Sequence, residues 1–187
     1  MLTHKGTQEL KTKRLILRRF TPEDAKEMYN NWAKDERVCK FLTWDPHESE
    51  EATKNLLNIW CKDYKKPDWY QWAIVYDGKV IGSIAVVEFS EKSESAELGY
   101  CIDYDYWGKG IMSESAQAVI DFLFSEVGLN RITICHAVKN PASGKVAQKC
   151  GLTLEGIHKE EFKSRFGEYL DMAHYGIVRK DYEKIKK

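Results

Sequence analysis

The hydrophobic pattern changes period several times along the chain. Residues 14–19, Arg-Leu-Ile-Leu-Arg-Arg, put Leu15 and Leu17 on one side of an extended segment. Thr21-Pro22-Glu23-Asp24 then offers an N-cap, a proline at the first helical position and an acid at the third. Ala25, Met28, Tyr29, Trp32 and Ala33 follow at helical spacing. A second helix is expected from Ser49-Glu50-Glu51 to about Tyr64, with Ala52, Leu56, Ile59 and Trp60 as its apolar stripe. Between the two helices, residues 38–47 gather Phe41, Leu42 and Trp44 in a segment broken by Pro46.

From Tyr70 the period falls to two. Residues 70–76 and 80–89 flank Asp77-Gly78, a hairpin signal, and a polar turn at 91–95 leads into another strand from Ala96. A long helix opens after Gly110, with Ala116, Val119, Ile120, Leu123 and Val127 inward and Gly128 just past its end. A strand over 131–137 follows, then a short helix from Asn140-Pro141-Ala142-Ser143 to Cys150-Gly151. Two final strands, 152–162 and 168–178, turn at Phe166-Gly167. The pattern predicts one α/β domain over 1–187, with a mixed, mostly antiparallel sheet of about seven strands and helices on both faces.

Charge narrows the partners. With 29 basic and 29 acidic residues the formal net charge is zero, which argues against nucleic acid or an anionic membrane as the main partner. No apolar run is long enough for a membrane span. Five cysteines, an odd number without a Cys-x-x-Cys pair or a zinc-like histidine spacing, read as free thiols. The expectation is a cytoplasmic protein without a metal.

The stretch most suggestive of chemistry is 97–115, where an alternating strand (Leu98, Tyr100, Ile102) reaches Gly108 and Gly110 and then opens the long helix. Glycine lets backbone approach a ligand closely, and the first N–H groups of a helix have no intrahelical partner. Such a turn suits a phosphate or pyrophosphate. It is neither a P-loop nor a Gly-x-Gly-x-x-Gly fingerprint, because the residue three beyond Gly110 is Ser113.

Four segments, TKRLILRRFTPEDA, ELGYCIDYDYWGKGIMSE, NPASGKVAQKCGLTLEG and EYLDMAHYGIVRKDY, together resemble the GNAT superfamily of acyl-CoA-dependent N-acetyltransferases. The likeness is to its Rim-type branch, which includes ribosomal-protein N-terminal acetyltransferases. Asp105 departs from the Gln or Arg usual at the start of the glycine motif, whereas Gly108 and Gly110 match it. The resemblance implies a sheet splayed between its fourth and fifth strands and acetyl-CoA as co-substrate. Backbone from Trp107 through Gly108, Lys109, Gly110, Ile111 and Met112 to Ser113 would hold the pyrophosphate. Backbone near Tyr100, Cys101 and Ile102 would hold the pantetheine arm, together with Asn140. Ser143 would protonate the departing thiolate. Glu97 would be the general base, with Glu161, or its neighbour Glu160, as the alternative. Phe41, Trp44 and Trp72 would line the acceptor site, with Trp69 and Tyr70 nearby. Homodimerisation is an expectation at family level.

The reaction implied is attack of a neutral amine on a thioester. A lysine (pKa ~10.4) costs about 4–5 kcal/mol to deprotonate at pH 7 and an α-amine (~7.8) only about 1 kcal/mol, which leans toward an α-amine acceptor. Three alternatives stand beside it: a small-molecule acetyltransferase acting on a polyamine, amino acid or antibiotic, a sensor that binds acyl-CoA without turnover, and a doubly wound nucleotide-binding fold. The last is disfavoured by the hairpin signals, since parallel strands require crossover helices.

Overall fold

The computed structural model describes residues 2–186. Eight strands form one sheet: β1 (Leu10–Lys11), β2 (Leu15–Arg18), β3 (Gln71–Tyr76), β4 (Lys79–Ser90), β5 (Ser95–Ile102), β6 (Arg131–Ala137), β7 (Thr153–Lys163) and β8 (Tyr169–Val178), in spatial order β1-β2-β3-β4-β5-β6-β8-β7. The short β1 was not foreseen, so the fourth and fifth strands expected from sequence are β5 and β6. All pairings are antiparallel except β5 with β6.

Six helices surround the sheet: α1 (Ala25–Met28, continued by a π turn over Tyr29–Ala33), α2 (Glu36–Cys39), α3 (Glu50–Asp63), α4 (Ile111–Phe122, continued by a π turn over Leu123–Val127), α5 (Pro141–Lys149) and α6 (Arg179–Ile185). On one face, α4 and α5 cover a core that includes Leu17, Trp72, Leu98, Val119, Ile120, Ile132 and Tyr175. On the other, α1 to α3 enclose Phe20, Met28, Trp32, Leu57, Ala73 and Val80, a cluster with no member from β6, β7 or β8.

The Thr21-Pro22 signal opens a 3-10 turn over Pro22–Asp24 that runs into α1, with the Asp24 side chain accepting from the Thr21 N–H in a capping box. Ser49 caps α3 by accepting from the Ala52 N–H. Of the stripe expected on α3, Leu56 and Trp60 pack half-buried against the core, but its centre lies one position further on. Thr53 and Leu57 are the buried residues, whereas Ala52 and Ile59 face solvent. Polar anchors set this phase: the Thr53 hydroxyl donates to the Ser49 carbonyl, and His47 Nδ1 lies 2.7 Å from the same hydroxyl. Tyr64, one residue beyond α3, accepts from the Phe20 N–H and donates to the Gln71 carbonyl.

Candidate active site

The site begins where β5 leaves β6. Parallel pairing runs through Ser95–Arg131 and Ala96–Ile132 and stops at Glu97–Thr133. Past that point β5 stays paired to β4 and β6 to β8, so the edges they turn toward each other carry unpaired backbone groups. A bulge at Val87 of β4, opposite Leu98 and Glu97, bends the sheet at the same level. Gly99 makes room for it: a Cβ there would meet Val87 Cγ1 at 2.7 Å.

At the far end of β5 a tight turn leads into α4. Asp103 accepts from the Asp105 N–H, and Trp107 Nε1 donates to the Ile102 carbonyl, which is thereby already partnered. Gly108 and Gly110 both have φ +74°, the left-handed region that favours glycine. Nothing lies within 4 Å of the Cβ position at Gly108. No side chain caps α4, and its first intrahelical bond runs from Glu114 N to Gly110 O, so the N–H groups of Ile111, Met112 and Ser113 are free for a ligand. Lys109 is exposed, its ammonium 5.1 Å from the centre of the Tyr106 ring.

Arg14, which sequence reasoning missed, buttresses this turn. Its Nη1 donates to the Lys109 carbonyl at 3.2 Å, its Nε donates to Glu114 at 2.7 Å, and its Nη2 is the nearest atom to the Cβ position of Gly110. Partial burial works against the Glu114 carboxylate, but hydrogen bonds from Thr12 and Arg14 outweigh it and hold that carboxyl below its usual range. The acid in the first turn of α4 is thus engaged by an arginine. No local signal joins Arg14 to Glu114, a hundred residues apart.

Across the gap, the Tyr100 hydroxyl of β5 lies 2.8 Å from the Ser143 hydroxyl of α5. Burial pushes the Tyr100 phenol well up. Asn140 precedes α5, and its side chain makes no cap hydrogen bond. Simple helix capping therefore accounts for neither residue. Cys101 points to the α1–α3 side, where burial raises its thiol to about 12.

That same side of the sheet carries Glu97 on β5, Cys135 on β6 and His174 on β8. Their chain neighbours Leu98, Ile134 and Tyr175 point into the α4 core, and alternation turns these three the other way. Burial, then the Glu88 carboxylate, raise the Glu97 pKa, and His174 partly offsets them. Glu161 reaches the cluster from β7, accepting from His158 at 2.9 Å and pairing with His174 at 2.5 Å. Those two histidines, His158 first, hold its carboxyl low. Glu160, the other acid considered, is exposed at the bulge, its N–H bonded to Asp171.

Phe41 and Trp44 are half-buried in the loop between α2 and α3, with Trp44 packed against the α1–α3 cluster. Arg165, in the β7–β8 turn, approaches Glu36 at 3.7 Å and Asp45 at 3.9 Å, bringing that turn to the same loop. Trp72 does not belong to the acceptor side, contrary to expectation. It is wholly buried in the α4-facing core, edge-on to Phe122, with Nε1 donating to the Gln8 carbonyl. Tyr70 stacks beside it. A surface depression of about 740 Å³ between β1 and α4 is lined by Thr12, Glu114 and Phe122 among others and includes none of Glu97, Tyr100, Asn140, Ser143 or Glu161.

Comparison with known proteins agrees with this geometry. A family model described as Acetyltransferase (GNAT) domain matches residues 14–153. The N-acetyltransferase YoaA of Bacillus subtilis is 31% identical over 172 residues, covering 91% of this chain and 96% of its own. The ribosomal-protein-serine acetyltransferase of Escherichia coli is 29% identical over 131 residues, 66% of this chain and 73% of its own. Among solved structures, the ribosomal L7/L12 α-N-protein acetyltransferase RimL in complex with coenzyme A superimposes with a TM-score of 0.84 over 94% of this chain and 99% of its own, at 23% identity, a likeness of fold.

Proposed function

The chain belongs to the GNAT acetyltransferase family, and we propose that it transfers the acetyl group of acetyl-CoA to a primary amine, most favourably an α-amine of a protein N-terminus or of a small molecule. One observation carries this reading: β5 and β6 part immediately after Glu97, with the free start of α4 at one end of the opening and the Tyr100–Ser143 hydroxyl pair across it. The coenzyme A complex of RimL and the ribosomal-protein acetyltransferase relative support the same reading.

The residues fit the co-substrate. The two left-handed glycines leave the space above Gly108 open, and backbone from Trp107 to Ser113 presents N–H groups and the positive end of the α4 dipole to the pyrophosphate. The pantetheine arm lies against the unpaired edge of β5 at Tyr100 and Cys101, with Asn140 on the opposite side. The sulfur then lies beside Ser143.

Chemistry follows from charge placement. The amine nitrogen attacks the thioester carbonyl, its proton passes to Glu97, the C–S bond breaks, and the thiolate takes a proton from Ser143. The proton held by Glu97 returns through solvent to the serine, so that the amine's proton ends on the coenzyme A thiol and both residues regain their starting states. A raised carboxyl pKa makes Glu97 the better acceptor, whereas the histidine pair that holds Glu161 low makes it the poorer one. The Tyr100 hydroxyl lies within hydrogen-bond distance of both Oγ and the backbone carbonyl of Ser143 and so holds the serine beside the sulfur. An α-amine needs about 1 kcal/mol to be neutral at pH 7, within reach of a single carboxylate base. The five unpaired cysteines support a reducing, cytoplasmic setting.

The experiment is release of the coenzyme A thiol from acetyl-CoA across N-terminal peptides, amino acids, polyamines and aminoglycosides. Release that depends on one acceptor class, with α-amines outpacing lysine side chains at pH 7, is the expected result. Failure to bind acetyl-CoA would overturn the reading, and binding without release to any acceptor would replace the enzyme with a sensor.

A further inference from the structure

We propose that Cys135, Glu161 and His174 form a binding site for a borderline divalent cation such as Zn2+, with Sγ, a carboxylate oxygen and Nε2 as its ligands. One ligand atom from each residue lies within 4.8 Å of the other two. Cys135 Sγ and His174 Nε2 are 3.6 Å apart, and His174 Nε2 and Glu161 Oε2 are 2.5 Å apart. Tetrahedral coordination with metal–ligand distances of about 2.0–2.3 Å places ligand atoms roughly 3.3–3.6 Å from one another. The cysteine–histidine spacing already meets that requirement. The histidine–glutamate pair is a direct hydrogen bond and opens by about 0.8 Å to admit an ion.

The backbone is shaped to deliver this donor set. Cys135 and His174 face each other in the β6–β8 register. Glu161 reaches them through a bulge in β7, where His158 pairs with Met172 and the next pair is Phe162 with Leu170. Glu160 within the bulge sits at φ 53°, an uncommon conformation for a residue with a side chain, and Asp171 clamps it by accepting from its N–H at 2.9 Å. The His158 ring nitrogen at 2.9 Å orients the other oxygen of Glu161, the kind of outer partner that ligating carboxylates use.

The surroundings are anionic. Glu88 and Glu97 face the same cluster, Arg131 is paired to Glu155, and the partners of Glu161 among the described residues are the two histidines. Sulfur, imidazole and carboxylate together suit zinc or cobalt over calcium or magnesium, which take oxygen alone. Binding forms the metal–sulfur bond as the thiol proton leaves to solvent, and a fourth position remains for water. Sequence spacing gives no hint of this set because its three members lie on three strands. The site stands independently of acetyl transfer.

The test is titration of chelator-stripped protein with Co2+ in the absence of acetyl-CoA, followed by absorbance. One Co2+ per chain is expected, with a thiolate-to-cobalt charge-transfer band and the intense visible bands of four-coordinate cobalt, all abolished by Zn2+. Cys135→Ser removes the charge-transfer band while the circular dichroism spectrum stays that of the parent. His174→Gln and Glu161→Gln each weaken cobalt binding at least about tenfold. The proposal is overturned by the absence of a stoichiometric cobalt–sulfur band, by a band that survives Cys135→Ser, or by affinity that neither His174→Gln nor Glu161→Gln alters.

Discussion

The hydroxyls of Tyr100 and Ser143, 2.8 Å apart, bridge β5 and α5 at the opening between the splayed strands. Burial keeps the phenol protonated, and its hydroxyl contacts both Oγ and the carbonyl of Ser143, fixing the position of the serine. Ser143→Ala is expected to lower kcat about 100-fold, and Tyr100→Phe about tenfold, with little change in acetyl-CoA affinity. Steady-state kinetics with a fixed amine acceptor checks both, and an unchanged kcat in Ser143→Ala would move the proton donor elsewhere.

Glu97 is raised by burial and by Glu88, so its charged form weakens the fold. A carboxyl whose folded pKa exceeds the unfolded one contributes stability below the unfolded value and loses it as pH rises through the folded value. Glu97→Gln is therefore expected to melt above the parent at pH 7, with the difference vanishing near pH 4, while kcat falls. Thermal melts at the two pH values test the first statement. Activity against pH tests the second: the parent should show an acidic limb above the ordinary carboxylate range, and the variant should lose it.

Gly110 sits at φ +74°, and its Cβ position faces the Arg14 guanidinium at 3.8 Å. Gly110→Val combines backbone strain with a side chain pressed toward the Arg14 guanidinium that supports the turn, and acetyl-CoA affinity should drop by about 100-fold or more, roughly 2.7 kcal/mol. Arg14→Ala removes the bond to the Lys109 carbonyl and should weaken affinity by about tenfold. Isothermal titration with acetyl-CoA measures both. Wild-type affinity in Gly110→Val would refute the phosphate cradle.

Two tryptophans test the proposed boundary between core and acceptor side. Trp72→Ala should cost about 3–5 kcal/mol in denaturant unfolding, because it empties a fully buried position. Trp44→Ala, half-buried and packed on the edge of the α1–α3 cluster, should cost clearly less stability than Trp72→Ala and raise the acceptor KM about tenfold. Equal stability losses in the two would remove Trp44 from the acceptor wall.

Local patterning carried most of the architecture. The strand over 131–137 coincides with β6, the capping residues Thr21 and Ser49 begin the helices they announced, and the glycine turn at Gly108–Gly110 opens α4. These features depend on neighbours within a few residues, where period, capping and left-handed φ act directly. Trp72 shows where such reading fails. An aromatic residue in a strand looks the same whether it points to the core or to a ligand, and only the stacking of α4 on β3 assigns it to the core. The support of the glycine turn by Arg14, the Tyr100–Ser143 pair and the meeting of Cys135, Glu161 and His174 all join residues distant in the chain. Strand order and register bring them together, and neither is encoded by any one stretch: they follow from how the whole set of apolar faces is buried at once.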